Sequence, residues 1–312
     1  MKYLVTGATI TNDILYADGS RADGFLGGAL YALNGVKPYC DDVLLVTTAG
    51  PDFEDVYGDY YRANGLSFDG VEKVLPRTRY NYLEYSPDGR WIEYSKYGPD
   101  FDAACGGAWA ILPEYVAKRA GADTKGIYIE SGVTEPIWQG IPAIREKAPN
   151  AKIMWELDTS DTADPGLRTR LLSAIREHSD IFSINLPESK DLFGTADEAE
   201  SVDAILRFGV PCFFRVGPKG AYMIADGRAW FAGSVGADES VDSTGCGNCS
   251  TGAAMYGFCE GFHPLKTVLY ANYAAGLNAA QTGPYPLYTK ELRGELLDRI
   301  ERRFAELMQE EN

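Results

Sequence analysis

The sequence predicts an α/β fold built on a doubly wound, mostly parallel sheet, and three observations predict it. Short apolar runs rich in β-branched residues alternate with helical stretches from Lys2–Thr6 through to Cys212–Val216. Runs that are apolar on both faces belong to strands covered by helices on either side. Glycines close the helical stretches, as at Gly35 and Gly65. The chain has 312 residues, 45% of them hydrophobic, enough for one large core, and no internal repeat or low-complexity linker divides it. A single folding unit over residues 1–312 is therefore expected.

In chain order, Lys2–Thr6 reads as a first buried strand that runs into Gly7 and a polar loop ending at Asp13. Gly27-Gly28 precedes a helix over Ala29–Asn34, Val43–Thr48 forms the next strand, and Asp52–Asn64 forms the next helix. Between Thr78 and Lys96 the period changes. Arg79–Tyr85 and Arg90–Tyr94 alternate around Ser86-Pro-Asp-Gly89, which predicts a hairpin. Its Tyr80, Tyr82, Tyr85 and Trp91 suit a lid over a ligand or a contact between two chains, and the sequence leaves both readings open. Strands Gly126–Glu130, Lys152–Leu157, Ile181–Asn185 and Cys212–Val216 then interleave with helices such as Pro165–Glu177 and Glu198–Phe208. A hairpin-like Ala221–Phe231 and helices over Cys249–Glu260, Pro264–Gln281 and Thr289–Met308 close the chain.

A formal net charge of −16 and a pI near 4.6 argue against a nucleic-acid or anionic-membrane surface, since those partners are polyanions. No apolar stretch approaches membrane-spanning length. The expected partner is a small molecule, and an anionic one must be held locally by backbone N–H groups or a cation. Of the six cysteines only Cys246 and Cys249 have C-x-x-C spacing, and no second Cys or His pair accompanies them to make a metal site. Met1-Lys2 leading directly into a strand predicts a cytoplasmic protein with reduced thiols.

The run Val241-Asp-Ser-Thr-Gly-Cys-Gly-Asn-Cys-Ser-Thr-Gly252 leads into an apolar helix. Small residues at a helix start leave backbone N–H groups unobstructed at the positive end of the helix dipole, which suits a phosphate; a tight turn packed with glycine explains the same pattern. Asp242-Ser-Thr-Gly-Cys-Gly-Asn248 resembles the second signature of the ribokinase (pfkB) carbohydrate kinases, D-T-x-G-A-G-D. Gly27-Gly28 with Thr47-Thr-Ala-Gly-Pro-Asp52 resembles the first signature, Asn185-Leu-Pro-Glu188 the N-x-x-E motif, and Arg215-Val-Gly-Pro-Lys-Gly220 the nucleotide-proximal G-x-x-G turn. The order and spacing of these motifs span nearly the whole chain. The competing dinucleotide-binding fold lacks its G-x-G-x-x-G after the first strand.

The resemblance implies a ribokinase-like three-layer α/β/α sandwich with a small β lid, a hairpin near residues 77–97 and a short contribution from 12–26. It implies transfer of the ATP γ-phosphate to a hydroxyl of a sugar or nucleoside, with Mg²⁺ and a monovalent cation such as K⁺. Asp13, Gly27, Gly28 and Glu130 would line the substrate pocket, and Gly245, Cys246 and Gly247 the anion hole. Asn185 and Glu188 would organise Mg²⁺ through water; Gly217, Gly220 and Asn272 would border the nucleotide; Asp242 and Thr244 would lie by the monovalent cation. A homodimer through the lid is expected.

One residue departs from the family pattern. Asn248 stands where the family's proton-accepting aspartate belongs, and a carboxamide has no useful basicity at neutral pH. Three readings follow: a slow or differently assisted kinase, a non-catalytic sugar- or nucleotide-binding protein with a regulatory or scaffolding role, or a substitute base such as Asp13 or Asp242. The helix after Gly28 reads Ala29-Leu-Tyr-Ala-Leu33 where polar residues often meet the sugar, which puts ribose and fructose in doubt. The short Asp13–Gly27 segment predicts a reduced lid on that side.

Overall fold

The computed structural model describes residues 1–87 and 91–310. Asp88 and Gly89 of the expected hairpin turn lie outside the described residues, as does the side chain of Trp91. The strands in chain order are β1 (Tyr3–Thr6), β2 (Thr9–Leu15), β3 (Arg21–Gly28), β4 (Val43–Ala49), β5 (Val71–Lys73), β6 (Tyr80–Tyr85) and β7 (Trp91–Ser95). They continue as β8 (Gly126–Glu130), β9 (Lys152–Glu156), β10 (Ile181–Asn185), β11 (Cys212–Arg215), β12 (Gly220–Ala225) and β13 (Arg228–Gly233). The described residues form a nine-stranded sheet in the order β13-β12-β11-β10-β9-β8-β1-β4-β5 and a four-stranded sheet in the order β3-β2-β6-β7. In the large sheet all pairings are parallel except those of β12 with its two neighbours.

Helices cover both faces, and the two-residue period of a strand explains how. Tyr3, Val5, Leu45 and Tyr128 point into one apolar cluster, while Leu4, Leu44, Val46, Ile127 and Ile129 point into another. The first is covered by α1 (Leu30–Val36), α2 (Phe53–Ala63), α10 (Cys246–Cys259), α11 (Pro264–Ala279) and α12 (Lys290–Glu310). The second is covered by α4 (Pro113–Ala117), α5 (Ile141–Lys147), α7 (Arg168–His178), α8 (Leu186–Phe193) and α9 (Glu198–Phe208). The short helices α3 (Asp100–Cys105) and α6 (Thr159–Ala163) occupy connections. Three layers result, as expected.

Two local expectations fail. The segment expected to be a polar loop ending at Asp13 is strand β2, and β3 follows it as its antiparallel partner. The Asp13–Gly27 side is therefore not a short loop: β2 and β3 join the β6–β7 hairpin through the parallel β2–β6 pairing. Thr9, Thr11 and Asp13 of β2 are buried, so strand pairing rather than apolar content dictates the conformation there. Helix α10 also begins at Cys246, earlier than its apolar run, so residues 246–248 form its first turn.

Helices α1 and α10 touch backbone to backbone. A Cβ on Gly35 would stand 1.9 Å from the Cys249 carbonyl oxygen, and one on Gly252 would stand 2.1 Å from that of Ala32. Either Gly35→Ala or Gly252→Ala is expected to cost roughly 2–3 kcal/mol by forcing the helices apart. Gly294→Ala, at an exposed α12 position with open space around it, is expected to gain about 0.5–1 kcal/mol. Denaturant unfolding of the three variants checks both signs.

Candidate functional site

The parallel strands end together, and their last residues form a row. Glu130, Glu156, Asn185 and Arg215 close β8, β9, β10 and β11, with Glu130 in register with Glu156 and Asn185 with Arg215. Neighbouring strands lie about 4.8 Å apart, so these polar groups are brought side by side at the carboxyl edge, where open α/β sheets form their crevices. Arg215 pairs with Glu156 and lies 3.8 Å from Glu188. Its Nε is buried without a partner, and its guanidinium lies against Gly247.

The start of α10 faces the same edge. Gly245 is its N-cap with φ +76°, and a Cβ there would stand 2.2 Å from the Tyr31 ring, so glycine alone fits. No side chain caps the helix, which leaves first-turn N–H groups and the positive dipole end available to an anion. Beside it opens a cavity of about 450 Å³ lined by Asn185, Arg215, Gly217, Gly220, Cys246, Gly247 and Asn272 among others.

Asn248 points along the row. Its Nδ2 donates to Glu130 Oε1 at 2.9 Å and to the Tyr128 hydroxyl at 3.3 Å. Burial and the neighbouring Glu156 push the Glu130 carboxyl up to about 7, against the opposing hydrogen bond from Asn248. The structure thus joins Asn248 to an ionisable carboxylate three strands from Arg215.

The other expected residues fall into two groups. Asn185 and Glu188 form a capping box at the start of α8, Asn185 Oδ1 accepting from Glu188 N–H and Glu188 Oε2 from Asn185 N–H, each at 2.9 Å. Glu188 Oε1 accepts from Thr159 at 2.8 Å, so both of its oxygens are engaged. Gly217 and Gly220 bracket a tight turn at the cavity, and Asn272 donates to the carbonyls of Ala232 and Gly233, tying α11 to β13. Asp242 Oδ1 accepts from Thr244 N–H at 2.9 Å, and Asn278 donates to the Thr244 carbonyl. The Cys246 and Cys249 thiols contact carbonyls of α11, and burial raises both.

Asp13 stands apart, in the small sheet. Its Oδ1 accepts from Gly24 N–H at 2.9 Å and the Tyr80 hydroxyl at 2.6 Å, and its Oδ2 from Arg21 at 2.9 Å and Lys96 at 2.8 Å. Burial opposes its ionisation, but the bonds from Lys96 and Tyr80 outweigh it and hold the carboxyl below its usual range. One carboxylate thus clasps β2, β3, β6 and the chain after β7. Tyr82 and Tyr94 pair their rings on this sheet, and Lys96 sits over the Tyr80 ring. Gly27 and Gly28 end β3, where Asn12 buries an unpartnered Oδ1 and places its Nδ2 near Gly27.

Comparison with known proteins now decides the family. The model of the pfkB family of carbohydrate kinases matches residues 128–290. The chain belongs to the pfkB family. No curated protein matches it. Among solved structures, a candidate sugar kinase from Rhizobium etli is similar over 96% of this chain and 98% of its own, with TM-score 0.74 and 19% identity. A candidate ribokinase II from E. coli in complex with ATP and Mg²⁺ matches at TM-score 0.73 and 18% identity, covering 96% and 99%. A Burkholderia thailandensis nucleoside kinase in complex with inosine matches at TM-score 0.69 and 19% identity, covering 97% of each chain. These likenesses establish the ribokinase-like fold, and no helix among the described residues is long and apolar enough to cross a membrane.

Arg215, Glu156, Tyr128, Tyr31 and Asn12 are site-region residues that sequence reasoning did not single out. The signal for two of them was their place as last residue of a buried strand; Tyr31, Tyr128 and Asn12 carried none.

Two outcomes follow. Asp13→Asn is expected to cost roughly 2 kcal/mol by leaving Arg21 and Lys96 without their shared carboxylate, read as faster amide exchange in β2, β3 and β6. Glu130 binds its proton more tightly folded than unfolded, so its contribution is complete below about 4.3 and is lost as pH rises to about 7. Thermal unfolding from pH 4 to 8 is expected to show that decline in the wild type and to lack it in Glu130→Gln.

Proposed function

We propose that this pfkB protein is an ATP-dependent phosphotransferase that phosphorylates a hydroxyl of a small sugar or nucleoside. The observation that carries the reading is the cavity lined by the uncapped start of α10 and by Arg215, one helical residue from the contact of Asn248 with Glu130. Arg215 lines that cavity, and a guanidinium is the planar charged donor that suits a phosphate. The N–H of Gly247 at the start of α10 would add a second, uncharged anion donor. A likeness to a protein crystallised with ATP and Mg²⁺ supports the same assignment.

Among the described residues no three acidic, His or Cys side chains converge as metal ligands. Magnesium fits here only as a phosphate-held ion that keeps most of its waters, with Asn185 at the cavity wall and the engaged Glu188 orienting solvent behind it. When bound, it supplies charge that offsets the phosphates. Asp242 and Thr244 would flank a K⁺ ion beside the anion hole. On the acceptor side, the unpartnered Oδ1 of Asn12 near Gly27 supports a polar ligand against the end of β3. The small sheet would act as a lid, and the exposed Ile92 and Tyr94 on its edge strand β7 support the homodimer contact expected there. Retention of the cavity and of Arg215 supports turnover over ligand binding alone.

The test is ADP release from Mg²⁺-ATP with K⁺ across sugars and nucleosides. Acceptor-dependent release is expected, and its absence with every acceptor overturns the reading. Arg215→Lys keeps the charge and loses the fork, so the dissociation constant for ATP is expected to rise about tenfold. An unchanged constant by calorimetry would take Arg215 out of the phosphate site.

A further inference from the structure

We propose that Glu130, and not the residue at 248, takes the proton from the acceptor hydroxyl. The inference deepens the kinase reading above and rests on it. Asn248 occupies the position from which a base would act, but its carboxamide cannot hold a proton; what it does instead is donate to Glu130 Oε1 at 2.9 Å. That bond fixes the carboxylate beside the start of α10. The other oxygen, Oε2, lies against Gly7 and has no protein hydrogen bond among the described residues, and the side chain is partly open to solvent. Glu130 is therefore a carboxylate with one oxygen anchored and one oxygen free, within hydrogen-bond reach of the anion hole's own helix.

The alternatives named from sequence are less suited. Both oxygens of Asp13 are taken by four donors in the small sheet, and Asp242 serves the turn into α10.

The groups that face Glu130 are Glu156 and Asp158 from β9 and the residues after it, Arg215 from β11, Asn248 from α10 and Tyr128 on its own strand. Gly7, between β1 and β2, lies against Glu130 Oε2. Burial and Glu156 bring the carboxyl to about 7, with Arg215 opposing. A base is most effective when its proton affinity matches the working pH.

In the step, the acceptor oxygen bonds to the γ-phosphorus while the bond from that phosphorus to the β,γ-bridging oxygen breaks and its electrons leave with ADP. The hydroxyl proton passes to Glu130 Oε2 and then to water.

The experiment compares the full-length wild type with Glu130→Gln, Asn248→Asp and the double variant. It measures kcat and KM for ADP release with the best acceptor from pH 5 to 9, and Mg²⁺-ATP affinity by calorimetry. Wild-type kcat/KM is expected to rise through a limb near pH 7. Glu130→Gln is expected to lower kcat by about 10²–10⁴, to lose that limb, and to bind ATP as before. The double variant exchanges carboxylate and carboxamide across the same hydrogen bond, and recovery of most of the lost rate is expected.

A rise in KM with kcat and the limb retained would show that Glu130 only holds the acceptor, and failure of the double variant to recover would show that it only positions. A wild-type profile flat near pH 7 overturns the proposal without any variant, which covers the case in which Glu130→Gln does not fold. A wild type silent with every acceptor removes the kinase reading itself, and the base with it.

Discussion

The first turn of α10 reaches the carboxyl ends of β8 and β11 because glycines at 35 and 252 let its backbone rest on that of α1. With a side chain at either contact the helix would stand off by more than an ångström. The bond from Asn248 to Glu130 and the approach of Arg215 to Gly247 span distances that tolerate no such shift. The Gly245 cap is set by the same packing, since the Tyr31 ring that fills its Cβ space belongs to α1. One helix pair therefore positions the start of α10, the residue at 248 and the wall of the cavity together. Geometry of this kind has to hold to fractions of an ångström for phosphoryl transfer, where positioning and charge stabilisation carry most of the acceleration.

The electrostatics of the edge run against the molecule as a whole. The chain carries a formal charge of −16, so the phosphate-bearing ligand proposed for the cavity would enter against that field. Glu130, Glu156 and Glu188 gather around a single guanidinium, that of Arg215. Three carboxylates and one cation cannot all stay fully ionised in so dry a place, and the strain falls on Glu130 and Glu156, both raised by burial. Both oxygens of Glu188 are held by the helix cap and a threonine hydroxyl. The pair with Glu156 keeps Arg215 oriented.

The fold was largely legible because buried parallel strands announce themselves as apolar runs of fixed length, and helices as glycine-closed stretches. What failed was the small sheet. Thr9–Leu15 buries the polar Thr9, Thr11 and Asp13, and Arg21–Gly28 is partly exposed, so neither shows a regular apolar pattern and pairing with each other and with β6 makes them strands. The site was legible in outline for a similar reason. The motif glycines, Gly245 and Gly247, stand at the N-cap and in the first turn of α10. Asp13 does not convey its surroundings, because the four donors that occupy it come from three other segments of the chain. Nor does Asn248, whose partner lies 118 residues away on strand β8.

That partnership gives the carboxamide at 248 a physical reason. An aspartate there would place a second carboxylate at hydrogen-bond distance from Glu130, with Glu156 on the neighbouring strand and the Tyr128 hydroxyl as a neighbouring donor. Two such groups in contact cannot both ionise, so one proton would be shared and the pair would titrate as a unit. A carboxamide avoids that repulsion and supplies a donor instead, which leaves Glu130 coupled to Glu156 but not to a carboxylate in direct contact. Residue 248 is best understood together with residue 130.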